Sequence, residues 1–288
     1  MEKRVKRRKL GRNDLCWCRS GLKYKNCHLN REKELPPDRQ KIWTGIKKNF
    51  GKEYCLHPQA SKSTCSPKII KAHTLQRNGG LSRIARNGCV YQLKFPDSGF
   101  TEIDMEDDLP QPVLVGVKAA STFTGFCGFH DSITFEPIEQ HFFQSIPQHT
   151  FLLGYRAICM QLFVTKAWVE SASLASRLDS GMTEQKQRNY QLNHNIAKAG
   201  YELALLDAKL HKSQYDNVLI SSDYDCVNYY VVRLQNVPEV MCANATMPLY
   251  DFHGNGLQWF ENLRQIEKAF DKSFGPSELI TFSLIATD

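Results

Sequence analysis

Four soft metal ligands fall within thirteen residues near the start of this chain: Cys16, Cys18, Cys27 and His28, spaced Cys-x-Cys-x8-Cys-His. Three thiolates and one imidazole can close a tetrahedron around Zn²⁺, and four protein ligands leave no open position for a substrate. The spacing thus predicts a metal-held turn over the first thirty residues, with the ion supplying most of its folding free energy, on the order of 10 kcal/mol. Gly21 lies between the ligand pairs and gives the backbone the freedom the reversal needs.

The rest of the composition narrows the class. Ten cysteines in 288 residues, with no apolar run behind the basic N-terminus, read as thiols and metal ligands of a cytoplasmic protein, not as a disulfide framework. Cys89, Cys159, Cys226 and Cys242 sit in mostly apolar surroundings and are expected to pack as small hydrophobes. The longest apolar stretch, residues 150–164, is broken by Arg156. It falls short of the ~20 residues of a membrane span, so no membrane partner is expected. Charge is divided unevenly: residues 1–52 carry 17 Lys/Arg against 5 Asp/Glu, the remainder 20 against 25. Lys3, Arg4, Lys6, Arg7, Arg8 and Lys9 form a dense basic arm suited to phosphate in nucleic acid or the ribosome, a solubilising tail being the alternative.

A second ligand set is spread more widely. Cys55 and Cys65 precede Cys127-Gly-Phe-His130, one pair near a turn and a Cys-x-x-His leading into a helix, which is the layout of a treble-clef finger. These four predict a second tetrahedral zinc; the ten-residue step from Cys55 to Cys65 leaves His57 as a rival ligand. Between them lie Ala72-His73 and a short basic segment, residues 81–86. An acidic loop, residues 97–108, turns nucleic acid away from that part of the surface.

Two resemblances rest on these residues. The run from Gly11 to His28, with its Gly-Arg-Asn-Asp opening and Ser-Gly-Leu-Lys-Tyr-Lys-Asn centre, resembles the SEC-C motif, a small zinc finger; Leu15 and Trp17 stand where that motif usually has proline. The resemblance implies docking to a protein partner or the ribosome. Residues 53–140 resemble the HNH endonuclease superfamily through Ala72-His73 and Phe126-Cys127-Gly-Phe-His130-Asp131, although 53 residues separate His73 from Cys127. This second resemblance implies that His73 is the general base activating water against a phosphodiester. It also implies Mg²⁺ or Mn²⁺ nearby, with Asp131 and Glu136 as oxygen donors. Asp131 stands where His is frequent, and could instead accept a hydrogen bond from a zinc-bound histidine; Thr122 and Thr124 occupy the place of an expected Asn. His73 has a structural or zinc-ligand alternative.

In the C-terminal half, Leu153, Ala157, Met160, Val164 and Ala167 recur at helical spacing. Leu192, Ile196, Ala199, Leu203, Leu206 and Leu210 recur at steps of 4, 3, 4, 3 and 4. The economical reading is an antiparallel helical hairpin with this stripe in its core; a homodimer through the stripe is the alternative. Strand character follows at residues 227–234, 237–241 and 279–286, with a helix over 257–270.

The chain therefore reads as α+β: an N-terminal zinc finger, a treble-clef (ββα-metal-like) domain, a helical hairpin and a β-rich C-terminal region. The divisions are 1–30 (basic arm and finger), 31–52 (linker and helix), 53–145 (HNH-like domain) and 146–288 (α+β domain). The function expected is nucleic-acid binding with metal-dependent phosphodiester cleavage, in phage defence or nucleic-acid handling by analogy. The alternative is a zinc-stabilised scaffold without catalysis.

Overall fold

The computed structural model describes residues 10–76, 80–94, 111–141, 143–248, 250–251, 253–257 and 278–286. The basic arm, the acidic loop and the helix expected over 257–270 lie outside them, apart from Leu257.

After the finger, helix α1 (Arg39–Phe50) opens where the Asp38 carboxylate accepts from the Lys41 amide at 3.0 Å. Strand β1 (Ile69–His73) pairs antiparallel with β4 (Thr122–Cys127), Ile69 opposite Cys127 and His73 opposite Thr122. A bulge between Ile70 and Ala72 shifts the register, the kind of irregularity that re-aims a strand-end side chain. Between them in the chain come the short helix α2 (Ser82–Ile84) and a hairpin of β2 (Cys89–Lys94) and β3 (Gln111–Gly116). Helix α3 (Gly128–Glu139) follows β4 directly, with Cys127 as its N-cap.

Helix α4 (Pro147–Ala175) is the spine of the molecule. Proline in its first turn suits a helix start, where the missing N–H has no partner to lose. It is apolar on nearly every side, as a helix surrounded by other elements must be. It packs against α1, α3, β4, helix α5 (Glu184–Ser221) and the antiparallel pair β5 (Cys242–Thr246) and β6 (Ile280–Leu284). The main core gathers Phe123, Phe126, Phe135, Phe151, Tyr155, Ile158 and Phe163 around it, with Ala245 from β5. Phe126 and Phe135 meet edge to face at 5.4 Å, a geometry that adds to their burial.

Two buried cations cross this core. Arg156, which breaks the apolar run, is 1% exposed; it pairs with Glu139 at 2.7 Å and lies over the Phe135 ring at 4.1 Å. Lys212 of α5 is also buried, donating to the Leu56 carbonyl at 2.9 Å and to Asp216.

Three expectations are corrected. Helices α4 and α5 do form an antiparallel hairpin, but not through the heptad stripe. The buried residues of α5 are Gln187, Gln191, Ala208 and Lys212, and Leu192, Leu206 and Leu210 face outward. At about 100° per residue the stripe lies on the opposite side of the helix from that buried face. Residues 227–234 have strand-forming side chains but pair with no strand among the described residues, and Tyr230 is 91% exposed. The pairing near the end of the chain uses Cys242–Thr246 instead of residues 237–241. Among the described residues no helix is long and apolar enough to cross a membrane.

Candidate metal centres

The first cluster is built on a pinched loop: Leu15 bridges Lys23, and the Cys16 amide donates to the Leu22 carbonyl at 2.8 Å. Gly21 has φ of +75°, so the turn between the ligand pairs uses the conformation only glycine adopts without cost. Cys16, Cys18, Cys27 and His28 are all buried, and their ligand atoms lie within 4.8 Å of one another. Cys16 Sγ is 3.3 Å and Cys27 Sγ 3.2 Å from His28 Nδ1, and Cys18 Sγ is 3.4 Å from Cys27 Sγ. A zinc tetrahedron with bonds of ~2.0–2.3 Å has edges of roughly 3.3–3.8 Å, so the donor set fits the ion closely. Residues 12–30 match the SEC-C motif.

The SEC-C finger is docked, not free. His28 Nε2, on the side of the ring away from the thiols, donates to Asp179 Oδ2 at 2.9 Å. Asp179 is fully buried in the α4–α5 connection and also accepts from Arg31 at 2.8 Å and Gln191 at 2.9 Å. Burial alone would raise its carboxyl, but the bonds from His28 and Gln191 and the charge of Arg31 hold it below the usual range. Asn195 donates to the Cys18 carbonyl at 2.9 Å, and the Arg188 guanidinium covers Trp17 at 4.6 Å. Asp179 is the partner that sequence reasoning missed: a lone aspartate 151 residues from His28 carries no local signal.

Gly181 closes this junction with φ of +79° and donates its amide to the Arg31 carbonyl at 3.0 Å. A Cβ there would lie 2.9 Å from the Glu34 carbonyl oxygen. Gly181→Ala is therefore expected to cost about 1–3 kcal/mol, from left-handed strain plus the collision. Thermal unfolding reads that loss, and limited proteolysis near residues 30–40 should quicken. A wild-type melting profile would mean that the junction is not under this constraint.

The second cluster joins three pieces of chain. Cys55 and Cys65 come from the loop before β1, Cys127 ends β4 and His130 lies in the first turn of α3. His130 Nδ1 is 3.5 Å from Cys55 Sγ, 3.5 Å from Cys65 Sγ and 3.2 Å from Cys127 Sγ. These distances also fit a tetrahedral zinc. His57 is not the ligand: its ring stacks on His130 at 4.2 Å and 11°, and Nδ1 accepts from the Gln59 amide at 3.2 Å. Burial, then the neighbouring charges of His130 and Lys212, push His57 down to about 4, so it is a neutral buttress. Burial raises Cys55 to about 11, whereas hydrogen bonds from His130 and Ser66 overcome burial and bring Cys127 down to about 6. Two of the four are buried and two half-buried, and a cation bound among them would compensate their thiolates.

Beside this cluster a cleft of about 360 Å³ is lined by His73, Asp131 and Glu136, together with Lys71, Glu139 and Arg156. His73 ends β1 and its Nε2 donates to the Val117 carbonyl at 3.1 Å, which leaves the lone pair on Nδ1. Asp131 Oδ1 is buried without a hydrogen-bond partner. Burial raises the Asp131 carboxyl, with Arg156 and His73 opposing and Glu139 adding to the rise. The three residues share the cleft's wall but do not meet as a ligand cluster: among the described residues, only the two Cys/His sets bring three or more such atoms together. No curated protein and no solved structure matches the chain.

Proposed function

We propose that this protein is a zinc-stabilised nucleic-acid-binding protein whose cleft is the site of an HNH-like, metal-dependent endonuclease. The observation that carries the reading is the cleft itself. It places an imidazole of fixed tautomer, His73, in the same pocket as the orphaned carboxylate oxygen of Asp131. His73 Nδ1 takes the proton of the attacking water, the Val117 carbonyl holding the ring in the basic orientation. Asp131 and Glu136 are the hard oxygen donors for a divalent cation, whose contribution would be charge stabilisation at the leaving oxygen. Lys71 supplies positive charge to the same wall, where a phosphate must enter, whereas Arg156 is already paired with Glu139. The two Cys/His clusters hold the scaffold and leave no coordination position for chemistry.

A second reading, a scaffold that binds without cutting, is supported by the separation of His73, Asp131 and Glu136, which do not form a preassembled cation site. One experiment divides the two: cleavage of plasmid DNA and of RNA by zinc-loaded protein, with and without Mg²⁺ or Mn²⁺, for wild type and His73→Ala. Under the nuclease reading, cutting requires the added cation and falls about 10²–10⁴-fold in the variant while binding is kept. Binding with no cutting of either substrate selects the scaffold.

A further inference from the structure

Half of the apolar stripe of α5 faces outward in the described chain, and the other half, Ile196, Ala199 and Leu203, is partly covered. Leu192, Leu206 and Leu210 are 53%, 55% and 44% exposed, while the opposite side of the helix buries Gln187, Gln191, Ala208 and Lys212. A single exposed leucine is ordinary; six apolar residues in heptad register along about 27 Å of one helix are a coiled-coil seam. We propose that this face pairs with the same face of a second copy, as an antiparallel two-helix seam. The proposal is independent of how the cleft is read.

The spacing 4, 3, 4, 3, 4 is a palindrome, so it is satisfied by its own reverse. Turned about a twofold axis beside Tyr201, Leu192 meets Leu210 of the second copy, Ile196 meets Leu206 and Ala199 meets Leu203. Every one of the six residues is thereby matched to an apolar one. The next positions outward, Asn189 and Ser213, meet each other and end the seam in polar pairs. A register one heptad away sets Ile196 against Ser213 and Leu192 against Asn217, which wastes both. At the axis, Gly200 is exposed and a Cβ there would meet nothing within 4 Å, leaving room for close approach.

Charge separates antiparallel from parallel pairing. A parallel in-register dimer faces Glu202 with Asp207 of the other copy on both sides of the seam, two like-charge pairs. The antiparallel register has one such approach, Glu202 with its own counterpart. Lys198 lies 3.8 Å from Glu202 on the same helix and offsets it. The area is sufficient but modest. The three outward leucines alone remove roughly 250 Å² of surface per copy, about 500 Å² in total before the flanking residues are added, which sets the pair at the low end for specific interfaces. The dimer is accordingly expected to dissociate in the micromolar range.

Sedimentation velocity of the zinc-loaded full chain across about 1–100 μM tests the pairing. The expected result is a concentration-dependent monomer–dimer equilibrium, weakened at least tenfold in Leu206→Lys, with far-UV circular dichroism and zinc content unchanged because Leu206 is already exposed. A wild-type chain that stays monomeric throughout the range overturns the proposal, since the stripe is then covered otherwise or left bare. So does a dimer that Leu206→Lys does not weaken. Orientation is read in a Cys226→Ser background, which removes the exposed thiol. Mild oxidation links Gly200→Cys to its counterpart and leaves Leu210→Cys unlinked; linkage of Leu210→Cys means parallel pairing and overturns the antiparallel assignment.

Discussion

Cys127→Ser is expected to remove one of two zinc ions and to unfold much of the chain between α1 and α4. Cys127 is completely buried, and three structural tasks converge on it. It ends β4 opposite Ile69, it caps α3 by accepting from the His130 amide at 3.4 Å, and it supplies the most readily ionised thiol of the second cluster. The loop carrying Cys55 and Cys65 has no helix or strand; it meets the start of α3 where Ser66 Oγ accepts from the Phe129 amide at 3.1 Å, and a shared ion would add the strongest tie. Structural zinc contributes on the order of 10 kcal/mol in small peptides, comparable with the ~5–15 kcal/mol that holds a whole domain folded. Even a fraction of that exceeds what the chain can lose. Metal analysis should give two zinc per chain in the wild type and one in the variant, with a large fall in melting temperature. Cys226→Ser, at an exposed thiol, should change neither. Two zinc in Cys127→Ser would dismiss the site.

Acid should mimic that variant. The Cys127 thiol is brought from an ordinary value of 9.0 down to about 6, so its ionised form favours the folded state fully above pH 9 and progressively less as pH falls through about 6. Protons compete with zinc for the same thiolates, and the ion moves the loss to lower pH without changing its sign. Zinc release should therefore rise on acidification, followed by a chromophoric chelator.

Both ligand sets could be read from the sequence because coordination chemistry is confined to a few residue types at short spacing. Cys16 to His28 needs no tertiary knowledge, and Cys127-Gly-Phe-His130 announces itself as a strand end entering a helix. What periodicity cannot state is which object an apolar face meets. The α5 stripe and the buried side both repeat at helical spacing, but the buried side is carried by Ala208 and by Gln187, Gln191 and Lys212, whose polar ends find specific partners. An apolarity count selects the wrong face for that reason. Arg156 is the converse case: it looks like an interruption of an apolar run, yet its stem and planar head are packed on Phe135 and closed by Glu139. Residues 227–234 have the side chains of a strand, but a strand exists only where a second one supplies its hydrogen bonds, and among the described residues none is paired with it.

Asp179→Ala is the second large effect expected, and it tests whether the finger and the helical hairpin are one structure. The substitution leaves the buried Arg31 guanidinium without its carboxylate and His28 Nε2 without its acceptor. Removing one partner of a buried ion pair costs about 3–5 kcal/mol, far more than the pair's net contribution, because the remaining charge stays desolvated. The histidine effect is separate: a carboxylate behind a zinc-bound imidazole fixes the ring and strengthens it as a ligand, and its loss lowers affinity about 10–100-fold. Chelator competition should thus show one zinc leaving early and the other unchanged, while proteolysis becomes faster at both the finger and residues 176–182. Asp179→Asn keeps the volume but loses the charge, and its amide hydrogens face donors. It should fall between wild type and alanine in affinity. Because the folded-state carboxyl is held low, the wild-type advantage over alanine is complete above the ordinary carboxylate range and is lost as pH falls below it, toward the depressed folded value. If the finger's zinc is held as tightly without Asp179 as with it, the finger is an appendage on the hairpin and its metal state has no bearing on the helices beneath.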